Sequence, residues 1–275
     1  METVLVAFTN PAAMNEFLIA WLADWGLDSF EERPDGLDAY ADTNHFNEKE
    51  FREFVSGHFL LKNIPFRISL MEAKNWNAEW EKNFQPIMVD ETIYVRAPFH
   101  PASKKFRYEI VIEPKMSFGT GHHATTALMM QQMNRMDLRN KKVLDMGCGS
   151  GILAILAGKM GASEIDAIDT DDWAVQNSIE NCARNNTQHI HVQKGDSASL
   201  NGRHFDVILA NINRNVLLDD IPVYSGCIEV NGILLLSGFY VEDRAKILER
   251  AAEFGLSPAG EKTNEQWIAI CLQKN

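Results

Sequence analysis

Two short stretches carry residue types that could do chemistry. The first is MSFGTGHHATT, residues 116–126, which holds Gly119 and Gly121, the adjacent pair His122 and His123, and the adjacent pair Thr125 and Thr126. The second is VLDMGCGSG, residues 143–151, in which Gly147, Gly149 and Gly151 follow Asp145. A metal site in the first stretch is disfavoured, because adjacent side chains diverge and no ligand follows at metal spacing. The expected metal complement is therefore none. The second stretch reads as a buried strand ending at Asp145 and a tight glycine turn opening a helix. Glycine is needed where the backbone bends sharply and a ligand approaches it closely.

Ligands of two classes use such a turn. A dinucleotide asks for Gly-x-Gly-x-x-Gly, with its pyrophosphate on the helix N-terminus, but the sixth position here is Ile152. No Gly-Lys-Ser/Thr follows, so a Walker-type phosphate loop is excluded. Charge agrees, since Asp145 beside the loop is a poor neighbour for phosphate and a good one for an ammonium and a sulfonium. S-adenosylmethionine carries both. Asp169, eighteen residues past Gly151 at the end of the next strand, can accept hydrogen bonds from both hydroxyls of a ribose. Asp196 is placed either to meet an adenine amino group or to cap its own loop. Asn211 ends an apolar strand at the mouth of the sheet, where open α/β folds bind ligands.

Transfer of a methyl group from a sulfonium is an in-line displacement, so positioning dominates and the acceptor must offer a lone pair. Freeing a lysine amine of its proton at neutral pH costs about 4.6 kcal/mol, and an α-amine about 1 kcal/mol. An amide oxygen that aligns the neutral amine suffices, and Asn211 is the candidate catalytic residue for that alignment. Methylases of exocyclic base amines place an aromatic residue just beyond such an asparagine. Here Ile212, Asn213 and Arg214 stand there, which disfavours a flipped base.

The elements that must position these residues divide the chain. Alternation of β-rich and helix-periodic segments from about residue 121 predicts a mostly parallel sheet with helices on both faces. The segments KVLDM, EIDAID, HIHVQK, FDVILAN, GILLLSGF and WIAICLQ are its strands, separated by helical runs. Residues 1–73 read as strand, helix, strand, strand, helix, strand, the βαββαβ order of a ferredoxin-like unit. Within them Asn10-Pro11 opens a helix through Trp25, whose Phe17, Leu18, Trp21, Leu22 and Trp25 form one buried stripe. Residues 74–86 form a linker helix with Trp76, Trp80 and Phe84 on one face. Residues 87–275 make a catalytic domain that begins with a β extension, TIYVRAP and FRYEIVIEP.

Of the 275 residues, 45% are hydrophobic, enough for two packed cores. The net charge of −12 is uneven: residues 1–60 hold twelve carboxylates and three bases, leaving −3 for the other 215. Such a face attracts basic partners and repels phosphate backbones, so nucleic acid is not an expected direct partner. No apolar run is long enough to cross a bilayer, and no secretory signal opens the sequence. Cys148, Cys182, Cys227 and Cys271 lie far apart, as reduced thiols of a cytoplasmic protein would. A protein methyltransferase, a small-molecule methyltransferase with an accessory domain, and a non-catalytic binding module all fit these residues.

One family shares the motifs. Along WNAEWEKNFQPIMV, EPKMSFGTGHHATT, VLDMGCGSGILAI, AIDTDDWAV and ILANINRNVL the chain resembles the bacterial methyltransferases that modify the eleventh protein of the large ribosomal subunit. The resemblance implies a Rossmann-like class I S-adenosylmethionine-dependent domain of α/β class, preceded by a small α+β ferredoxin-like domain that grips the ribosomal protein, with a flexible linker between them. It implies S-adenosylmethionine as cofactor and a protein substrate modified on lysine side chains and its N-terminal amine; a monomer is expected separately. Thr126, Gly147, Asp169 and Asn211 match cofactor-binding positions of the family, and Asp145 and Gly149 belong to the same loop. The sequence departs from the family at Ala124, where many members have proline, at His122, and in the run after Asn211.

Overall fold

The structure, a computed structural model, describes residues 3–71, 85–113 and 123–275. The linker stripe Trp76, Trp80 and Phe84, together with Gly119, Gly121 and His122, lies outside them. The chain divides into two compact units, Met1–Asn83 and Phe84–Asn275.

In the first unit, β1 (Thr3–Thr9), α1 (Asn15–Trp25), β2 (Ser29–Arg33), β3 (Gly36–Asp42), α2 (Glu48–Gly57) and β4 (Phe66–Met71) follow in that order. The strands form an antiparallel sheet ordered β2-β3-β1-β4, the arrangement of a ferredoxin-like unit. Alternation in β1 sends Val4, Val6 and Phe8 onto Leu18 and Leu22 of α1 and Phe51 and Val55 of α2. Two local expectations are corrected. Asn10 does not cap α1: its amide donates to Pro11 O at 3.0 Å and to Asn15 Oδ1 at 2.8 Å, and a 3₁₀ turn, Ala12–Met14, precedes the helix. The helical stripe is also narrower than its periodicity suggests. Leu18 and Leu22 are fully buried, but Phe17 is 60% exposed, because it stands beyond the strip that the small sheet can cover.

The second unit opens with β5 (Ile87–Val89), β6 (Ile93–Arg96) and β7 (Tyr108–Val111). Strand β6 pairs antiparallel with β5 and parallel with β7, and β5 has no counterpart in the sequence reading. The main sheet follows: α3 (Ala124–Met133), β8 (Lys142–Met146), α4 (Ile152–Lys159), β9 (Glu164–Asp169), α5 (Asp172–Arg184), β10 (His191–Lys194), β11 (Phe205–Asn211), α6 (Arg214–Cys227), β12 (Ile228–Tyr240), α7 (Arg244–Glu253), β13 (Leu256–Asn264) and β14 (Trp267–Lys274). Its order is β10-β9-β8-β11-β12-β14-β13. The pairings from β10 to β12 are parallel, and both pairings of β14 are antiparallel. The helical run expected before the last strand is α7, but it is followed by a strand the sequence reading missed, β13. Its sequence, LSPAGEKTN, looks like a loop, yet as an edge strand it accommodates Pro258 at a bulge.

Successive residues of the central strands face opposite layers. Val143 and Leu209 pack with α3 and α4, through Met129 and Ile155, while Leu144 and Ile208 pack with α6 and α7, through Leu217 and Ile247. Sandwiching the sheet this way makes its strands nearly continuous apolar runs. At their carboxyl ends polar residues gather, among them Asp169 and Asn211. Among the described residues no helix is long and apolar enough to cross a membrane.

Candidate active site

Strand β8 carries Asp145 and ends at Met146, one residue later than the sequence suggests. The chain then turns through Gly147, Gly149 and Gly151, with φ of 69°, 54° and 78°. Positive φ at three alternate residues lets the loop fold back on β9, where Gly147 N and Cys148 N both donate to Ile168 O, at 2.8 and 3.1 Å. A Cβ on Gly147 would fall 2.2 Å from Ile212 Cγ2, so the loop and the end of β11 approach each other closely enough that any side chain there must displace that methyl.

Two carboxylates, Asp145 and Asp169, organise this loop, and a third caps a neighbouring turn. Asp145 is 1% exposed and accepts from Ala154 N at 3.0 Å, pinning the first turn of α4. Burial pushes its pKa up to about 7, the bond from Ala154 opposes that, and neighbouring Asp169 adds to it. At the tip of β9, Asp169 accepts from Gly149 N at 2.8 Å with one oxygen and from Asp171 N at 3.0 Å with the other. Asp196 caps the 3₁₀ turn Ser197–Leu200 by accepting from Ala198 N at 3.0 Å. Of the two roles open to Asp196, the cap is the one the contacts describe, although it also lines the cleft. The thiol of Cys148, held at 3.4 Å from Ser178 Oγ, is pushed well up by burial, so it is no nucleophile.

Opposite the loop, Asn211 at the end of β11 donates through Nδ2 to Thr126 Oγ1 at 3.3 Å. Its Oδ1 is buried and finds no partner among the described residues. A buried acceptor left open is costly unless a ligand meets it. Thr126 itself is 2% exposed in the first turn of α3. The cap of that helix is His123: Nδ1 accepts from Thr125 N at 3.4 Å and lies 2.7 Å from Thr125 Oγ1. The imidazole also meets the Trp267 ring edge-on at 4.6 Å, and Trp267 lies 4.4 Å from the Tyr240 ring.

Thr126, Asp145, Gly147, Gly149, Asp169 and Asn211 thus line one cavity of about 570 Å³. Among its described lining residues four are carboxylates, with Asp220 the fourth, and none is lysine or arginine. That chemistry suits a ligand bearing positive charge and hydroxyls and opposes a pyrophosphate. The open Asn211 acceptor, the glycine wall and the carboxylates fit S-adenosylmethionine. Among the described residues no cluster of three His, Cys, Asp or Glu side chains could hold a metal.

The sequence reading did not find Trp267, Asp220 or Gly238 at the cavity. Trp267 begins the antiparallel last strand, and nothing local marks it. Asp220 holds the 3₁₀ turn Ser197–Leu200 against α6 by accepting from Ser197 Oγ at 2.6 Å and Tyr224 OH at 2.9 Å. Gly238 had a faint signal, a lone glycine in the apolar run of β12. Its φ is +95°, and a Cβ there would meet Ile212 O at 2.3 Å.

The sheet order, the glycine loop and the acid at the tip of the second strand of this sheet define a Rossmann-like S-adenosylmethionine-dependent methyltransferase. A family model described as ribosomal protein L11 methyltransferase (PrmA) matches residues 26–275. The chain is 43% identical over 276 residues to the ribosomal protein L11 methyltransferase of Phocaeicola vulgatus, covering 98% of each chain. It is 44% identical over 259 residues to that of Porphyromonas gingivalis, covering 93% of this chain and 89% of the relative. The chain belongs to the ribosomal protein L11 methyltransferase family. Among solved structures, the ribosomal protein L11 methylase of Lactobacillus delbrueckii subsp. bulgaricus superposes with a TM-score of 0.64 at 30% identity, over 70% of this chain and 100% of that one. A methyltransferase from Pyrococcus furiosus, at 17% identity and a TM-score of 0.51, covers 60% of this chain and 88% of its own, and shares the fold.

Proposed function

We propose that this chain transfers methyl groups from S-adenosylmethionine to amines of ribosomal protein L11, both lysine side chains and the N-terminal α-amine, in the cytoplasm and as a monomer. Thr126, Asp145, Gly147, Gly149, Asp169 and Asn211 hold the cofactor, and Asn211 also aligns the acceptor. Residues 1–73 recognise the protein substrate. The bound cofactor supplies an electrophilic methyl group, so the chain needs only to hold it, exclude water and present a neutral amine.

The open acceptor Asn211 Oδ1 carries this reading. An amide oxygen there can accept one N–H of a neutral amine and so direct its lone pair, and it offers nothing to an acceptor without an N–H. The absence of a lysine or arginine among the described lining residues supports the same chemistry, because a cationic wall would repel a lysine substrate.

The test is intact-mass measurement of purified ribosomal protein L11 after incubation with the full chain and S-adenosylmethionine, followed by peptide mapping. Mass increments of whole methyl groups on lysines and the α-amine are expected. Label confined to small molecules, with L11 unmodified, would overturn the proposal.

A further inference from the structure

Helix α5 buries a polar face. Asn177, Ser178 and Asn181, with Asn185 at its C-cap, are all at most 5% exposed, where a helix covering a sheet ordinarily presents apolar side chains. Buried carboxamides persist when each finds its partners, and here the partners lie on two segments remote in sequence. Asn181 Oδ1 accepts from Glu113 N at 3.0 Å, and its Nδ2 donates to Ser150 O at 3.0 Å, with Asn177 Oδ1 a further 3.4 Å neighbour. Ser150 belongs to the glycine loop. Glu113 is the second residue beyond strand β7. Three turns of one helix therefore hold the loop that faces the cofactor and the exit of a strand from a different sheet.

The neighbouring contacts separate the two arms. Asn185, one turn on, accepts from Val111 N at 2.9 Å and donates to Val111 O at 2.7 Å, as an adjacent strand would, and it does not touch the glycine loop. Arg184 reinforces the same strand exit through an ion pair with Glu113 at 3.1 Å. Ser178 Oγ, on the other side, donates to Gly149 O at 3.1 Å and touches only the loop. In the contacts between described residues, Asn181 is the one of Ser178, Asn181, Arg184 and Asn185 that joins both.

We infer that Asn181 is a positioning residue for the methyl-transfer reaction: its carboxamide fixes the Ser150 carbonyl, and with it the glycine-loop conformation that receives the cofactor, against the exit of β7. The inference rests on the reading of the cavity as the S-adenosylmethionine site. Asn181 lies outside that cavity's lining, so its effect reaches the ligand only through the loop. Losing the donor to Ser150 O frees the loop to sample other conformations, and the binding-competent fraction falls.

The experiment compares full-length Asn181→Asp with Asn185→Ser, measuring S-adenosylmethionine dissociation by calorimetry, kcat at saturating cofactor, and the melting midpoint. Asn181→Asp keeps an acceptor for Glu113 N and replaces the donor to Ser150 O with a second acceptor. It is expected to weaken cofactor binding about tenfold while kcat at saturation stays within about threefold. Asn185→Ser is expected to lower the melting midpoint and leave cofactor affinity unchanged. Should Asn181→Asp fail to fold, Asn181→Ser, which removes both carboxamide arms without adding charge, is compared with Asn185→Ser in the same three measurements. A folded Asn181 variant with wild-type cofactor affinity, or one no weaker than Asn185→Ser, overturns the inference. Wild-type protein that binds no S-adenosylmethionine overturns instead the reading on which it rests.

Discussion

Asp145 gives this cleft a response to pH. Asp145 has its pKa raised to about 7, chiefly by burial. The folded protein therefore keeps a proton on it that the unfolded chain has already released above about pH 4. Its contribution to stability is fully present below that unfolded value and is lost as pH rises through about 7, a swing on the order of 4 kcal/mol. Cofactor binding runs the other way, because a ligand carrying an ammonium and a sulfonium favours the ionised carboxylate. From about pH 4 to about pH 7 the cofactor-free protein should melt at progressively lower temperature while its affinity for S-adenosylmethionine rises, both levelling off above that range. Asp145→Asn can still accept from Ala154 N and should flatten both slopes. Parallel slopes in wild type and variant would show that Asp145 is not the group responsible. The carboxyl itself was legible from its place in VLDMGCGSG. Its burial was not, because that depends on how closely α4 packs behind the loop.

At the scale of elements, the ends of β8, β11 and β12 meet on Ile212. The glycine loop approaches its side chain, and Gly238, at the bulge in β12, approaches its carbonyl. The two glycines should differ on substitution. Gly147→Ala meets a side-chain methyl that can rotate away, leaving the strain of a positive φ, on the order of 1–3 kcal/mol. Gly238→Ala meets backbone 2.3 Å away, which cannot move without dragging Asn211 from the cleft. Urea melts should therefore show the larger loss for Gly238→Ala, accompanied by lost cofactor binding. Equal or reversed losses would mean that β11 is not held as described. The parallel core of the sheet was readable because Val-, Ile- and Leu-rich runs alternate with helical periods. The antiparallel edge was not, since β13 buries little and its Pro, Gly and Lys residues resemble a loop. Nor could periodicity distinguish the polar inner face of α5 from a solvent face, because only tertiary contacts make buried asparagines affordable.

Over the whole molecule, charge separates the two units. Residues 1–60 hold nine of the twelve net negative charges, and exposed carboxylates such as Glu16, Glu50 and Glu53 lie on the helices of the first unit. The cofactor cavity also has an acidic lining, but it is a cavity, and attraction inside it is screened far less than attraction across an open surface. Salt should therefore act on the two substrates differently. If the first unit recruits the protein substrate by charge, raising ionic strength from about 0.05 M to about 0.3 M shortens the screening length about 2.5-fold and should raise KM for ribosomal protein L11. KM for S-adenosylmethionine and kcat should change little. Converting Glu16, Glu50 and Glu53 together to lysine should reproduce the high-salt KM at low salt and reduce its further salt dependence, with cofactor affinity intact. A protein KM that ignores both salt and charge reversal would assign recognition to apolar contact, for which exposed Phe17 and Phe59 are then the residues to replace. A rise in both KM values together would instead trace the salt effect to the catalytic unit and remove the first unit's charge from the account of recognition.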